Sequence, residues 1–350
     1  MKNRKLRNIT LGLFTLCVAS LLMSCTDKKV AYIPPSVSTD TLSNCGCGPG
    51  TKVENPENGT VDPNAEPSRP QTVMSLPLPA FSLLGSDLPT EKGNLPYGTY
   101  VIIRADSLPP QAYYEYSWDN GKNWIKGDSI LLCQSGTISA RTHSSSTVSQ
   151  VAQKSFTLYY KRILIVGNSI TAHGPAPEIG WYGDWGMAAS KPDSDYVHLL
   201  SKDLKSRYDA FQFKILYGVP FEQNYKSYDF SQVSEGVSFK PDLIIMRIGE
   251  NSNVTDEKVF KEKYDQLIKT LRGGSHAKVI CTTSFWPGRE VVVQAIKTVA
   301  ISNKYDLVDI GGFFDDKSYT AFGLFKDTGV ANHPSDKGMR AIYQSIARKL

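Results

Sequence analysis

Residues 161–172 read KRILIVGNSITA, and how this stretch folds decides the architecture of the chain. The run Ile163, Leu164, Ile165, Val166 is short, apolar and largely β-branched, and it stops on a glycine. That pattern predicts a buried parallel strand rather than a helix. Gly167 permits a tight turn close to other backbone, which leaves Ser169 just past the carboxyl end of the strand. In open α/β sheets that edge is where ligands bind and reactive side chains collect. Ser169 is therefore a candidate nucleophile, or alternatively the N-cap of a following helix, a position that also favours serine.

Downstream, short apolar runs alternate with helical patterns. Strands are predicted at FQFKILYG (211–218), DLIIMRIG (242–249), AKVICTTSF (277–285) and LVDIGGFF (307–314). Val197, Leu200 and Leu204 share one helical face, and Phe260, Tyr264, Leu267 and Leu271 share another. Ala295, Ile296 and Val299 repeat the pattern, and Met339, Ile342 and Ile346 close the chain. The alternation predicts an α/β domain over 161–350, built on a doubly wound parallel sheet.

Residues 74–160 have a different texture. Strands are predicted at TYVIIRA (99–105), AYYEYSW (112–118), NWIKG (123–127), SILLC (129–133), GTISART (136–142) and KSFTLYY (154–160). Asn120-Gly121 is a hairpin signal, because that pair supplies the positive φ angles such turns need. Strands at this spacing predict a small β-sandwich domain ahead of the α/β domain. The segment also resembles the small Ig-like domain found beside chitobiases and other exported glycan-active enzymes, which implies a spacer. Tyr113, Tyr114, Tyr116, Trp118 and Trp124 read as cross-strand packing or, alternatively, as a sugar-stacking face.

The chain has 350 residues and a formal net charge of +5, but Lys2, Arg4, Lys5 and Arg7 carry most of that excess. Without residues 1–24 the balance is 35 basic against 34 acidic side chains, about +1. No basic stripe remains, so nucleic acid is not an expected partner. Residues 1–24 combine a basic start with an apolar core from Leu11 to Met23, the pattern of a secretory signal too short to span a bilayer comfortably. LLMSC (21–25) resembles a bacterial lipobox, which implies lipidation of Cys25 and an exported, membrane-tethered protein. Thr26 after that cysteine favours the outer membrane; ordinary signal cleavage is the alternative. Residues 25–73 are rich in Pro, Gly, Asn, Ser and Thr and predict a flexible tether. Cys45 and Cys47 have no second pair nearby and do not predict a metal site. Cys133 and Cys281 read as small buried apolar residues.

Three further features fall at strand ends beside Ser169. KILYGVPFE places Gly218 at the end of one strand, DLIIMRIGENSN places Gly249 and Asn251 past the next, and NHPSDKGM places His333 before the last helix. With GNSIT these resemble, in order, spacing and context, the SGNH (GDSL-like) hydrolase family over about residues 161–350. The resemblance implies a flavodoxin-like sheet with Ser169 as nucleophile and His333 as general base. It implies that the Gly218 N–H and the Asn251 side-chain amide donate to the oxyanion. Such chemistry needs these residue types: a serine hydroxyl is a weak nucleophile until an imidazole accepts its proton, and a developing oxyanion needs preorganised donors. No metal or organic cofactor is implied.

One position departs from the family pattern, which usually has aspartate three residues before the histidine. Here that residue is Val330. Asp327, six before, is the candidate acid. Asp336, three after, suits the first turn of a helix. A third possibility is a Ser–His dyad whose ring N–H donates to a backbone carbonyl. Loss of a triad acid lowers turnover, so the departure bears on rate rather than on reaction type. The insertion AHGPAPEIGWYGDWGMAASKPDSDYVHLL (172–200) is similar to a subgroup of the family in exported and soil or gut bacterial proteins. Trp181, Tyr182 and Trp185, spaced by glycines, are candidates for stacking on a sugar ring or for a small core within the loop. Glu178 and Asp184 are candidates for binding substrate hydroxyls, and His173 is a second polar group near the serine. These readings combine into an exported, lipid-anchored serine esterase that deacylates, most simply deacetylates, a carbohydrate. The alternatives are a lipase or thioesterase on the same fold and a glycan-binding lipoprotein with a decayed hydrolase domain.

Overall fold

The computed structural model describes residues 75–84, 93–145, 147–208 and 210–350. The predicted signal, Cys25, Cys45, Cys47 and the tether lie outside them. In the amino-terminal part, β1 (Ala80–Leu83), β3 (Tyr100–Arg104) and β6 (Ser129–Leu131) form one antiparallel sheet, and β2 (Leu95–Pro96) pairs in parallel with β10 (Leu158–Tyr159). A second antiparallel sheet joins β4 (Tyr113–Ser117), β5 (Ile125–Lys126), β7 (Gly136–Ser144), β8 (Thr147–Val148) and β9 (Ala152–Phe156). Val101, Ile103 and Ile130 from the first sheet share one core with Tyr114, Ile138, Ala140 and Phe156 from the second. Asn120 and Gly121 turn between β4 and β5 at φ 56° and 83°, the left-handed region expected of Asn-Gly.

The carboxyl-terminal part is α/β with an entirely parallel sheet. Its strands are β11 (Arg162–Gly167), β12 (Gln212–Tyr217), β13 (Leu243–Arg247), β14 (Lys278–Thr282) and β15 (Asp306–Val308), in the order β12-β11-β13-β14-β15. The chain leaves β11 toward β12 and then crosses back to β13, so the switch point lies at the carboxyl ends of β11 and β13. Both faces of the sheet are covered, which is why these strands read as continuous apolar runs. Leu164, Val166, Ile244, Met246, Val279 and Cys281 face a core with α4 (Glu257–Arg272) and α5 (Glu290–Ser302), following α1 (Tyr196–Arg207), α2 (Val219–Asn224) and α3 (Ser234–Phe239) in the chain. Ile163, Ile165, Leu243, Ile245 and Ile280 face the other core, with α1 and α7 (Asp336–Ala347), which follows the short α6 (Thr328–Ala331). Tyr97, Tyr159 and Tyr160 from the amino-terminal part belong to that second core.

The four predicted helical faces are buried as their spacing requires. The strand predicted over 307–314 is shorter: β15 ends at Val308, and residues Gly311–Asp315 form a 3₁₀ turn. Its cause is Asp309, whose carboxylate accepts from the Thr283 hydroxyl and the Gly311 N–H. An aspartate that captures local backbone competes with a ladder. Among the described residues no helix is long and apolar enough to cross a membrane.

Candidate active site

Ser169 stands two residues beyond β11, on a single turn in which Thr171 and Ala172 donate to the Asn168 carbonyl at 2.9 and 3.1 Å. Only glycine fits at the end of the strand, because a Cβ on Gly167 would lie 2.0 Å from Thr171 Oγ1. Ser169 is half-buried, and its Oγ lies 2.7 Å from Nε2 of His333, a residue 164 positions later. The other ring nitrogen, Nδ1, lies 2.8 Å from the Gly329 carbonyl. A carbonyl only accepts, so Nδ1 carries the hydrogen and Nε2 turns its lone pair to the serine. Burial pushes the His333 imidazolium down to about 4, against a smaller upward pull from the Gly329 carbonyl and Glu250. The ring is neutral at pH 7, the form that can take a proton.

Asp327 does not reach the ring. Its Oδ1 accepts from the Val330 N–H at 3.0 Å and caps α6, the turn that carries Gly329. Val330 is buried in an apolar cluster with Trp181 and Ala321. The contact on Nδ1 is therefore a backbone carbonyl, and Asp327, the candidate acid, is corrected to the cap of this turn. Asp336 sits in the first turn of α7 and accepts from the N–H and hydroxyl of Ser190 at 2.8 and 2.6 Å. Substituting Asp327→Ala is expected to leave kcat/KM within about threefold of the parent, against a loss of about 10⁴ where a triad acid is disabled. The unfolding free energy should fall by about 1 kcal/mol for the lost cap. Steady-state kinetics beside urea unfolding checks both.

The proposed oxyanion donors are placed differently from each other. Gly218 N donates to the Gly167 carbonyl at 2.6 Å, so this N–H is spent inside the fold. The position needs glycine for packing, since a Cβ would lie 2.6 Å from Ile248 Cγ2. Asn251 is half-buried, and its Nδ2 donates to Glu222 Oε2 at 2.9 Å. Glu222, on α2, also accepts from Gly249 N at 2.6 Å and Asn251 N at 3.1 Å. Beside it, Glu250 accepts from Arg247 Nη1 at 2.8 and 2.9 Å, from Phe285 N at 2.7 Å and from Asn168 Nδ2 at 2.7 Å. Arg247, Glu222 and Glu250 are all essentially inaccessible to solvent. Burial raises Glu222, and the neighbouring Glu250 raises it further. Burial would raise Glu250 too, but the Arg247 guanidinium outweighs it and holds that carboxyl below its ordinary value.

The insertion is tied to the site through its backbone: Met187 N donates to the Ser169 carbonyl at 2.9 Å, and His173 N to the Trp185 carbonyl at 2.9 Å. Trp181 is 3 % exposed and packs edge-on against Trp185, with ring centroids 5.5 Å apart, and against Phe325. Its indole N–H donates to the His173 carbonyl and that of Trp185 to the Ala189 carbonyl. Trp181 and the half-buried Trp185 thus pack into a core that the loop shares with Ala321, Phe325 and Val330; of the two expectations for Trp181, packing holds, and stacking on sugar is corrected. Tyr182 is 74 % exposed, and Glu178 and Asp184 are exposed as well. His173 faces its neighbour's carbonyl, that of Gly174.

Sequence reasoning missed Trp286. Its ring stands perpendicular to His333 with centroids 5.2 Å apart, and its indole N–H donates to the Asn332 carbonyl at 3.0 Å. It also missed Glu222, Glu250 and Asn168. A usable signal existed for part of this cluster: Arg247 lies in a run destined for burial on both faces, where a charge requires a partner.

No family model and no curated protein matches the chain. Among solved structures it is similar to the psychrotrophic esterase EstA from Pseudoalteromonas sp., at 13% identity over 54% of this chain and 95% of that one, with a TM-score of 0.38. An acetyl xylan esterase, AlAXEase, aligns at 18% identity over 54% of this chain and 99% of its own, with a TM-score of 0.36. A peptidoglycan O-acetylesterase aligns at 11% identity over 83% of this chain and 80% of its own, with a TM-score of 0.31.

Proposed function

We propose that this chain is a serine esterase that works through an acyl-enzyme, with Ser169 and His333 as a dyad. The observation that carries the reading is the 2.7 Å contact from Ser169 Oγ to a neutral, oriented Nε2 at the switch-point edge of the sheet. Ser169 Oγ attacks the ester carbonyl as Nε2 takes its proton. Nε2 then returns that proton to the departing alcohol as the carbon–oxygen bond breaks. Water, deprotonated by the same nitrogen, attacks the acyl-serine; the acid is released and the serine hydroxyl is restored. Asn251 is the proposed side-chain donor to the oxyanion.

The substrate in this reading is an acetylated carbohydrate. It is supported by the resemblance of residues 74–160 to a domain of exported glycan-active enzymes and by the exposed Tyr182 in the insertion that follows Ser169. Export on a lipidated Cys25, the flexible tether and a β-sandwich spacer over 74–160 belong to the same proposal. Val330 in place of an acid supports the decayed, glycan-binding alternative only where an acid is required, and the Gly329 carbonyl 2.8 Å from Nδ1 speaks against that requirement.

The test is release of acetate from acetylated xylan and from an activated acetyl ester by the purified protein. Hydrolysis of long-chain lipid esters with no acetate released from the glycan sinks the carbohydrate reading, and no turnover of any ester sinks the enzyme. The pH profile is a separate expectation. Because the folded imidazole titrates near 4, kcat/KM should stay level from pH 8 to about 5 and fall only toward pH 4, where protonated Nε2 cannot accept. An unperturbed histidine would place that fall near pH 6.5. The same shift makes a stability contribution that is complete above the unfolded value and is lost as pH falls toward 4. Circular dichroism across the range separates loss of fold from protonation of the base.

A further inference from the structure

Glu222 has an unusual set of partners for a buried carboxylate. Gly249 N and Asn251 N converge on its Oε1 at 2.6 and 3.1 Å, and the Asn251 side chain donates to its Oε2 at 2.9 Å. No lysine or arginine bonds it directly; the nearby guanidinium, Arg247, is engaged with Glu250. Glu222 is 1 % exposed. A charge this deep without a cation of its own is costly for stability, so its place calls for a role other than holding the fold together.

An asparagine amide has two faces of similar shape, one accepting and one donating, and a half-buried one can turn either way. An ionised carboxyl settles the choice because it only accepts, and the N–H donors from Gly249 and Asn251 favour that form against the upward pull of burial and Glu250. With one N–H of Nδ2 fixed on Glu222, the planarity of the amide fixes the direction of the second N–H as well. The backbone bonds from Gly249 and Asn251 to the same carboxylate hold the peptide on which that side chain is mounted. We propose that Glu222 is a positioning residue which fixes the Asn251 amide so that its second N–H, the one not bonded to Glu222, is preorganised for a developing oxyanion. This rests on the acyl-transfer reading above and adds to it a residue outside the motifs that suggested the family. The charge of Glu222 would by itself oppose an oxyanion, so the proposal has a definite sign: orientation outweighs charge.

The experiment compares kcat and KM on an activated acetyl ester for the full chain and for Glu222→Gln, Glu222→Asp, Asn251→Ala and Glu222→Gln with Asn251→Ala. Glutamine presents an NH₂ group that competes with Nδ2 and turns the amide; aspartate keeps the charge and withdraws it by one methylene. Both should lower kcat by about 10²-fold, the scale of one lost oxyanion donor, with KM changed by less than about threefold. The double variant should be no slower than Asn251→Ala alone, and that non-additivity is a readout a purely structural role would not give. Unfolding midpoints near the parent's show that each variant is folded, and if the glutamine variant does not fold, the aspartate variant decides. Rates equal to or above the parent's in a folded Glu222 variant, or losses that multiply in the double variant, overturn this inference while leaving the esterase reading intact. A parent with no turnover overturns both.

Discussion

Ser169→Ala should lower kcat/KM for an activated acetyl ester by about 10⁴-fold or more, to the level of the uncatalysed reaction plus whatever the remaining donors supply. Loss of the serine from a Ser–His–Asp centre costs about 2 × 10⁶ in kcat. A dyad that lacks the carboxylate starts from a lower ceiling, so the smaller figure is the one to expect here. His333→Ala should cost nearly as much, and the two substitutions together should cost no more than either, because nucleophile and base act as one unit. The fold should hardly register the serine change. Its hydroxyl is half-buried and its side-chain partner is His333, and one such hydrogen bond contributes about 1 kcal/mol net. A Ser169→Ala protein with more than a few per cent of parental activity would require another nucleophile and end the proposal.

Arg247→Met should have the largest effect on stability, a loss of about 3–5 kcal/mol by urea unfolding at pH 7, the cost of leaving a buried carboxylate without its cation. Arg247 and Glu250 have 0 % and 1 % of their side chains exposed and meet at 2.8 Å. Phe285 N and Asn168 Nδ2 still donate to Glu250 in the variant, but neither carries charge, and Glu222 lies close enough to repel it. The loss should depend on pH in a stated direction. Without the guanidinium, burial raises Glu250 above its unfolded value, so the folded state gains a proton first as pH falls. Stability then recovers on going from pH 7 toward 5, the reverse of the parent, in which the depressed Glu250 loses its contribution as pH falls. Arg247→Met combined with Glu250→Gln should regain most of the loss at pH 7. A cost below about 1 kcal/mol for the single variant would show that the pair is solvated or relaxes freely.

The parallel sheet was legible because its strands are buried on both faces. Runs such as 163–166 and 243–246 carry no polar alternation, and the helices between them have one wet side and therefore a clear period. Beyond β15 the signal misled, since an apolar run broken by Asp309 and two glycines reads as a strand until the aspartate's local partners are known. At the site, the serine and histidine were legible from short motifs at strand ends. The orienting group was not, because a backbone carbonyl has no letter in the sequence; any residue at 329 supplies one. Nor could residue type alone tell the face of Trp181, since a tryptophan beside glycines suits a binding loop and a packed one equally. Glu222 was invisible for a third reason. Its meaning depends on three donors 27 to 29 residues away, and nothing in VPFEQN announces them.

Val330, three residues before His333, packs its methyl groups in the same cluster as Trp181 and Ala321. One turn thereby grips the insertion on one side and, through the Gly329 carbonyl, aims the imidazole on the other. The insertion is consequently not an interchangeable part. A grafted loop between residues 173 and 189 that places another side chain than Trp181 against Val330 should shift the turn, and His333 with it. If the proposed esterase activity holds, variation at the exposed Tyr182 should leave the histidine aimed, whereas exchange of the whole segment should not.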